Sequence, residues 1–189
     1  MEIRWRAFGA CLLFAMSWAA WPSSTSAQTL SNTSTISLSA SLAQSISVSV
    51  TSGSTVSFTL SNGSTAAGDV PAVIQTSWNL IPVVTGAITL YGYFSTPSQA
   101  LSDGSGNNIA SSLVEGRMTT GTPTSYTAFT QTNAVGPAGG GLSLFNESIT
   151  ALNAIKTRSD NLDLRINLSG QTLSAGTYTG TLRIQARAI

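Results

Sequence analysis

Histidine is absent from this chain, cysteine occurs once, and charged residues make up only 8% of its 189 positions. The single cysteine, Cys11, lies in an N-terminal segment with the features of an export signal. Without that segment the chain has no disulfide, no thiol nucleophile and no thiolate or imidazole metal ligand. A serine nucleophile would lack a histidine to activate it, and no Gly-x-Ser-x-Gly turn is present. The sequence therefore predicts a protein that is not an enzyme and that holds no cofactor.

The first 27 residues have the three parts of a secretory signal peptide. Arg4 and Arg6 supply positive charge, residues 7–21 form an apolar run that is short for a membrane span, and a small, polar stretch ends at Ala27. We expect cleavage before Gln28. Residues 28–189 then form a single domain that is secreted, extracellular or at the cell surface, with the periplasm as a compartment in transit.

Charge and hydropathy restrict the partners of the mature chain. Cleavage removes Glu2, Arg4 and Arg6, which takes the formal net charge from +1 to zero. A neutral chain argues against nucleic acid as a partner. No later segment is long and apolar enough to cross a membrane, so no transmembrane segment is expected after cleavage.

Strict alternation of apolar and hydroxyl side chains dominates the rest of the sequence. Between Ile36 and Leu60 the apolar residues occupy even positions, which predicts two or three strands with one buried face. Similar patterns predict strands over 70–80 and 87–95, a hairpin from 113–119 and 125–131, and a C-terminal hairpin from 162–168 and 178–188. Residues 142–149 form an apolar segment without a clear alternation. Residues 149–157 fit either a helical turn or a crossover. About ten strands without a long helix predict an all-β fold, an immunoglobulin-like antiparallel β-sandwich.

Three residues have predicted structural roles in that sandwich. Trp78 is in phase with Ile74 and Leu80, which places it in the core like the buried tryptophan of immunoglobulin folds. Tyr178 follows Gly176 by two residues, which is the pattern of a tyrosine corner. In that motif the tyrosine hydroxyl bonds back to the preceding turn.

The stretch from Leu173 to Leu182 resembles the last turn and last strand of many bacterial immunoglobulin-like domains. With the Ser/Thr-rich, weakly charged composition, it also resembles subunits of chaperone–usher pili and spore-coat-U-like proteins, which have a glycine at the position of Gly176. This resemblance implies a surface subunit that assembles by strand pairing. The chain departs from the family in its Ala188, where pilins have a tyrosine, and in lacking their cysteine pair. Residues 76–94 resemble uncharacterised secreted bacterial proteins.

Two groups of side chains are candidate ligand contacts. Tyr91 and Tyr93 share one face of a predicted strand, and an exposed aromatic pair of this kind stacks on sugar rings; packing against a loop or the other sheet is the alternative. Asp103, Ser105 and Asn107 place oxygen atoms at alternate positions, as a calcium loop does, with Glu115 near the closing position. The alternative is a Gly/Asn-rich hairpin loop without metal. Asp160 and Asp163 are the only close carboxylate pair, and we expect them to be solvated and on opposite faces of a strand.

The N-terminal strand region favours assembly over the other functions. No charge and no proline occurs between Gln28 and Gly68, although natural sheet edges are usually guarded by one or the other. These strands are therefore internal or intended to pair with another chain. The leading hypothesis is a non-catalytic extracellular structural or surface protein, pilin-like, with copies of itself or other surface proteins as partners. The alternative is a carbohydrate-binding or adhesion module with glycans as partners.

The export signal generates the first prediction. Protein secreted by an expressing bacterium should have the intact mass of residues 28–189, because signal peptidase cuts after a small residue such as Ala27. Replacing Ala27 with a bulky residue should block processing at this site. A secreted species that still carries residues 1–27 would contradict the prediction.

Overall fold

The computed structural model describes residues 33–189, and the predicted signal peptide and cleavage site lie outside them. Within these residues the chain forms twelve β-strands, two short 3-10 turns and no α-helix. The strands are β1 (Ser45–Ser52), β2 (Thr65–Ala67), β3 (Ala72–Asn79), β4 (Ala87–Phe94), β5 (Leu101–Ser102), β6 (Asn108–Ile109), β7 (Val114–Met118), β8 (Thr127–Ala128), β9 (Gly141–Ser148), β10 (Ile155–Asn167), β11 (Thr179–Gly180) and β12 (Leu182–Ala188). The all-β prediction is confirmed, and the strands beyond the expected ten include several of only two residues.

Three antiparallel sheets contain these strands. The largest has the order β1-β3-β10-β7-β8, with β2 also paired to β10. The second has the order β12-β4-β9, and the third, β11-β5-β6, is built from two-residue strands. β10 is the central strand of the large sheet, because it pairs with β3 along its first half and with β7 and β2 along its second.

The core lies between the large sheet and the β12-β4-β9 sheet. Inward-facing residues of both sheets form one buried cluster that includes Ile74, Leu162 and Ile166 from the large sheet and Ile88, Leu90 and Leu142 from the smaller one. Gly92 and Gly116 face each other across the ring of Phe129, where neither position has room for a side chain without displacing a neighbour. The sequence alternation therefore places apolar side chains inside and hydroxyl side chains outside, as predicted.

The prediction of strands in the N-terminal region is correct for β1 and wrong for residues 33–44. Ser45–Ser52 forms β1, whose Ile46 and Val48 are partly buried against the core. Residues 33–44 form no strand, and the side chains of Ile36, Leu38 and Leu42 are 86%, 92% and 77% exposed. The reason is that β3, the partner of β1, ends at Asn79, which pairs with Ser45. No strand among the described residues extends beyond that point to pair with residues 33–44.

The predicted C-terminal hairpin is wrong, although both of its strands exist. β10 belongs to the large sheet, while β12 pairs with β4 in the other sheet. Residues 169–178 therefore carry the chain from one sheet to the other instead of reversing it within one. Alternation determines which face of a strand is buried but not which strand pairs with it. For β12, pairing with β10 or with β4 would satisfy the same pattern.

The remaining segments agree with the prediction or decide between its alternatives. β7 and β8 form the predicted hairpin, with Glu115 opposite Ala128. Residues 151–153 form a turn and β10 begins at Ile155, so residues 149–157 contain no helix. Among the residues that the structure describes, no helix is long and apolar enough to span a membrane.

Gly180 allows a close approach of two short strands and gives a stability prediction. A Cβ atom at Gly180 would lie 1.9 Å from the backbone oxygen of Ala100, so β11 and β5 would have to separate. Gly180→Ala should lower the free energy of unfolding by about 1–3 kcal/mol in urea titrations, as overpacking does. Gly86→Ala is the matched control, since its Cβ would meet only the Ile189 oxygen at 3.5 Å. Equal effects of the two substitutions would contradict the prediction.

Candidate functional site: a groove between two strand edges

β1 and β12 are the outermost strands of the two main sheets on the same side of the sandwich. Among the described residues β1 pairs only with β3, and β12 pairs only with β4. The two strands lie against each other across the interface between the sheets. Each therefore leaves half of its backbone N–H and C=O groups without a strand partner within the described part of the chain.

A groove of about 710 Å³ opens beside these edges. Its floor consists of Ala72, Val114, Leu162, Leu164 and Ile166 from the large sheet, Phe94 from β4 and Leu101 from β5. One wall is formed by residues 53–60 and the other by residues 176–184. None of the residues that line the groove carries a charge. Val56, Phe58, Leu60, Leu182 and Ile184 are only partly buried, which leaves apolar surface accessible inside the groove.

Hydrogen bonds hold the 53–60 wall in place although it contains no regular strand. The backbone N–H of Ser57 donates to the carboxylate of Asp69 at 2.8 Å, and the N–H of Asp69 donates to the Ser57 carbonyl at 3.0 Å. Phe58 and Gly68 form an isolated bridge. The Asn62 side chain ties the turn after this wall to the 169–178 segment, since its amide bonds both backbone groups of Leu173. The groove is therefore a fixed feature of the fold.

The segment before β1, residues 33–43, which we call the arm, has the side-chain pattern of a strand. Ile36, Leu38, Ala40 and Leu42 form one row, and the positions between them are serines. All of these residues are exposed. Fully extended, the arm would measure about 36 Å, and the eight residues of the 53–60 wall would measure about 26 Å. An arm of this length is sufficient to fill a groove of this kind.

The point where the arm joins β1 and the groove lie at opposite ends of the sandwich. The arm joins β1 at Ser45, which pairs with Asn79 at the end of β3. The groove is lined by the other end of these strands, where Ser52 pairs with Val73, and by the start of β12, where Leu182 pairs with Phe94. We call these the arm end and the groove end.

Tyr91 and Tyr93 do not form the exposed aromatic pair that was predicted. Tyr91 is only 8% exposed. Tyr93 is partly buried against the 132–140 loop, where a Cβ on Gly136 would lie 2.5 Å from its ring, and its hydroxyl donates to Gln185 at 3.4 Å. The alternative reading, packing against a loop, describes Tyr93.

The calcium candidates are occupied by other partners. The Asp103 carboxylate accepts the Asn107 side-chain amide and the backbone N–H groups of Ser105 and Asn107. These hydrogen bonds hold the pKa of Asp103 below its usual value despite an opposing effect of burial. Glu115 instead accepts from Arg165 and Asn167 on β10. Asp103, Ser105 and Asn107 thus lie in one hydrogen-bonded loop, whereas Glu115 is paired with residues of β10. Among residues 33–189 no group of three or more acidic, cysteine or histidine side chains could hold a metal ion.

The three residues with predicted structural roles lie where their patterns place them. Trp78 is 3% exposed, and its indole N–H donates to the Asn153 carbonyl at 2.8 Å. The Tyr178 hydroxyl donates to the Ser174 carbonyl at 2.9 Å, which is the bond expected of a tyrosine corner. Gly176 lies in the same turn, where a Cβ would approach Asp103 to 3.5 Å. Tyr178 also forms part of the groove wall, which gives this turn a place in the candidate site.

Charged residues that were expected to be solvated instead connect the two main sheets. Asp160 and Asp163 do face opposite sides of β10, but the side chain of Asp160 is fully buried. Arg158 donates to Asp160 at 2.6 and 2.5 Å and to Glu147 on β9 at 2.9 Å, with its guanidinium 4.1 Å from the Phe145 ring centre. Burial raises the pKa of Glu147, but hydrogen bonds from Lys156, Asn153 and Arg158 outweigh that effect and lower it.

Sequence reasoning missed both the ionic contact and the groove. Arg158 and Asp160 are two residues apart on a strand and therefore share a face, which was the available indication of their pairing. The groove walls come from segments more than a hundred residues apart, and no local pattern connects them.

The ionic contact gives the third prediction. Arg158→Met should lower the free energy of unfolding by about 3 kcal/mol or more, because it leaves the buried carboxylate of Asp160 without its counter-ion. Arg117→Met is the matched control, since Arg117 pairs with Asp163 on the exposed face of β10. Urea titration at neutral pH should show a much smaller effect for the control. Similar losses in both variants would disprove a special role for the buried contact.

Comparison with known proteins adds no relative to this description. No protein-family model matches the chain, and no curated protein matches it. The groove, the free strand edges beside it and the arm are therefore the features from which a function can be inferred.

Proposed function

We propose that this chain is a non-catalytic structural protein, secreted to the cell exterior or cell surface, whose copies join by strand pairing. The arm of one copy would enter the groove of the next. The observation that carries this proposal is the combination of an unpaired, exposed apolar row on the arm with an uncharged groove beside a free strand edge.

Side-chain chemistry supports the match between arm and groove. In strand addition, backbone hydrogen bonds to a free edge give affinity, and alternate side chains fill pockets below. The arm offers Ile36, Leu38 and Leu42 at alternate positions, and the groove offers Leu182 and Ile184 on the edge strand above a floor of core residues. The arm and the residues that line the groove carry no charge, and the exposed Arg183 lies between Leu182 and Ile184 on the other face of β12.

The placement of the two surfaces supports a linear assembly. Because the point where the arm joins β1 and the groove lie at opposite ends of the sandwich, the contact between copies is heterologous. A heterologous contact repeats from copy to copy and produces an open chain unless its rotation closes a ring. This is the arrangement expected of a pilin-like subunit.

The carbohydrate-binding alternative has lost its motivating observation. It depended on an exposed pair formed by Tyr91 and Tyr93, and Tyr91 is buried. Strand pairing is therefore the function that the described surfaces favour.

The arm provides the test of this proposal. In the mature protein, Ile36→Ser with Leu38→Ser should weaken self-association by about a hundredfold or more, because two apolar side chains no longer leave water. Ser37→Ala with Ser39→Ala is the matched control, since it alters the other face of the same segment. Size-exclusion chromatography with light scattering should show polymers for the wild type and the control, and monomers for the apolar-row variant.

Two outcomes would contradict the proposal. One is polymerisation of the apolar-row variant at wild-type concentrations. The other is a wild-type monomer whose thermal midpoint falls when Ile36 and Leu38 are replaced, since this would mean that the arm completes its own sandwich.

A further inference from the structure

The arm end of the sandwich carries most of the exposed apolar surface outside the arm. Eight large hydrophobic residues beyond the arm are exposed within the described part of the chain, and all but Val50 and Val70 lie at this end. They are Ile81, Val83, Val84, Leu152, Ile155 and Ile189, which we call the apolar cap. Val83 and Leu152 are 93% and 99% exposed, so they contribute little to the core of their own domain.

Backbone hydrogen bonds join the segments that carry the apolar cap into one surface. The N–H of Leu80 donates to Ala154 at 2.8 Å, which connects the β3–β4 turn to the β9–β10 turn. The N–H of Ile149 donates to Gly86 at 2.9 Å, and the N–H of Gly86 donates to Ile189 at 2.6 Å. Residues 80–86 and 149–155 contain no charged side chain. Contiguous exposed apolar surface of this kind marks a binding site more often than scattered hydrophobic residues do.

Gln44 connects the apolar cap directly to the arm. Its side-chain oxygen accepts the backbone N–H of Ile81 at 3.1 Å and the hydroxyl of Thr85 at 2.9 Å. The residue that immediately follows the arm is therefore bonded to the turn that carries Ile81, Val83 and Val84. A protein that binds the arm close to Gln44 must therefore lie next to the apolar cap.

We infer that the apolar cap is a second contact surface between copies and packs on the groove end of the copy that receives the arm. This inference rests on the proposed function. It adds a second contact surface to the one formed by the arm and the groove, because the arm could enter the groove without it. Continuity with the arm selects another copy of this chain as the occupant, since the arm and the apolar cap share Gln44 as their junction. Burial of the cap would fix the angle between successive copies, which an extended arm alone leaves free.

The test uses the mature protein with Val83→Ser, Val84→Ser and Leu152→Ser combined. These side chains are exposed, so the thermal midpoint should remain close to that of the wild type. In sedimentation velocity over a dilution series, the concentration at which polymers dissociate should rise about tenfold or more, because apolar area leaves the interface. The matched control combines Val83→Ile, Val84→Ile and Leu152→Met. It keeps the surface apolar, so its polymers should dissociate at the same concentration as those of the wild type.

A second measurement separates the apolar cap from the groove. A fluorescent synthetic peptide of residues 28–43 should bind the Ile36→Ser, Leu38→Ser protein with the same Kd whether or not the cap substitutions are present. Unchanged polymer dissociation in the cap variant would overturn the inference while leaving the proposed function standing. A weaker peptide Kd would also overturn it, since the effect would then act through the groove. Wild-type protein that neither polymerises nor binds the peptide would reject both proposals together.

A membrane is the competing occupant of the apolar cap. Flotation with vesicles of phosphatidylcholine and phosphatidylglycerol tests it directly. If the wild type floats, the serine variant does not, and polymer dissociation is equal for both, the cap contacts lipid and the inference is wrong. Absence of wild-type flotation together with weakened polymers in the serine variant supports contact between copies.

Discussion

Residues 33–189 contain strands and no α-helix, so the requirement that backbone N–H and C=O groups find partners governs their arrangement. β3, β4 and β10 satisfy it on both sides, while β1 and β12 satisfy it on one side among the described residues. β1 and β12 lie on the same side of the sandwich, next to the groove, while β9 and β8 form the opposite edges of the two main sheets. The usual guards of an edge, charge and proline, are absent from β1 and from the arm that precedes it. The proposed function follows from this one unsatisfied requirement, since a strand from a second copy would supply the missing partners.

The distribution of charge complements this arrangement. The chain has few charged residues, and several of them are concentrated where β9 and β10 meet, on the side of the sandwich away from β1 and β12. There Glu147, Arg158 and Asp160 connect the two main sheets through short, partly buried ion pairs. The groove side has no charge in its lining. Ionic contacts therefore connect the two main sheets on one side, whereas on the other side the groove lining is uncharged and β12 carries the exposed side chains of Arg183 and Arg187.

Periodicity was sufficient to predict the class of fold and the buried face of most strands. Ile74 and Trp78 on β3, and Leu162 and Ile166 on β10, lie in the core because side chains of a strand alternate between two faces. The pairing of strands was less accessible, since β10 and β12 have similar patterns and yet belong to different sheets. The groove was not predictable, because its walls come from residues 53–60 and 176–184, which no local pattern connects. Tyr91 was misread for a related reason, since its burial depends on distant residues.

The position of Gln44 has a mechanical consequence for a chain of such copies. Tension carried by an arm enters its own domain at Gln44 and passes directly into β1, which pairs with β3 from Ser45 to Ser52. In the proposed assembly the next copy would be attached at the opposite end of the sandwich, so the force would run along the axis of β1. Under that geometry the hydrogen bonds between β1 and β3 are loaded in shear and bear the force together, whereas a peeling force would break them one after another. A subunit whose arm and groove are at opposite ends of one long edge strand is thus built to resist extension.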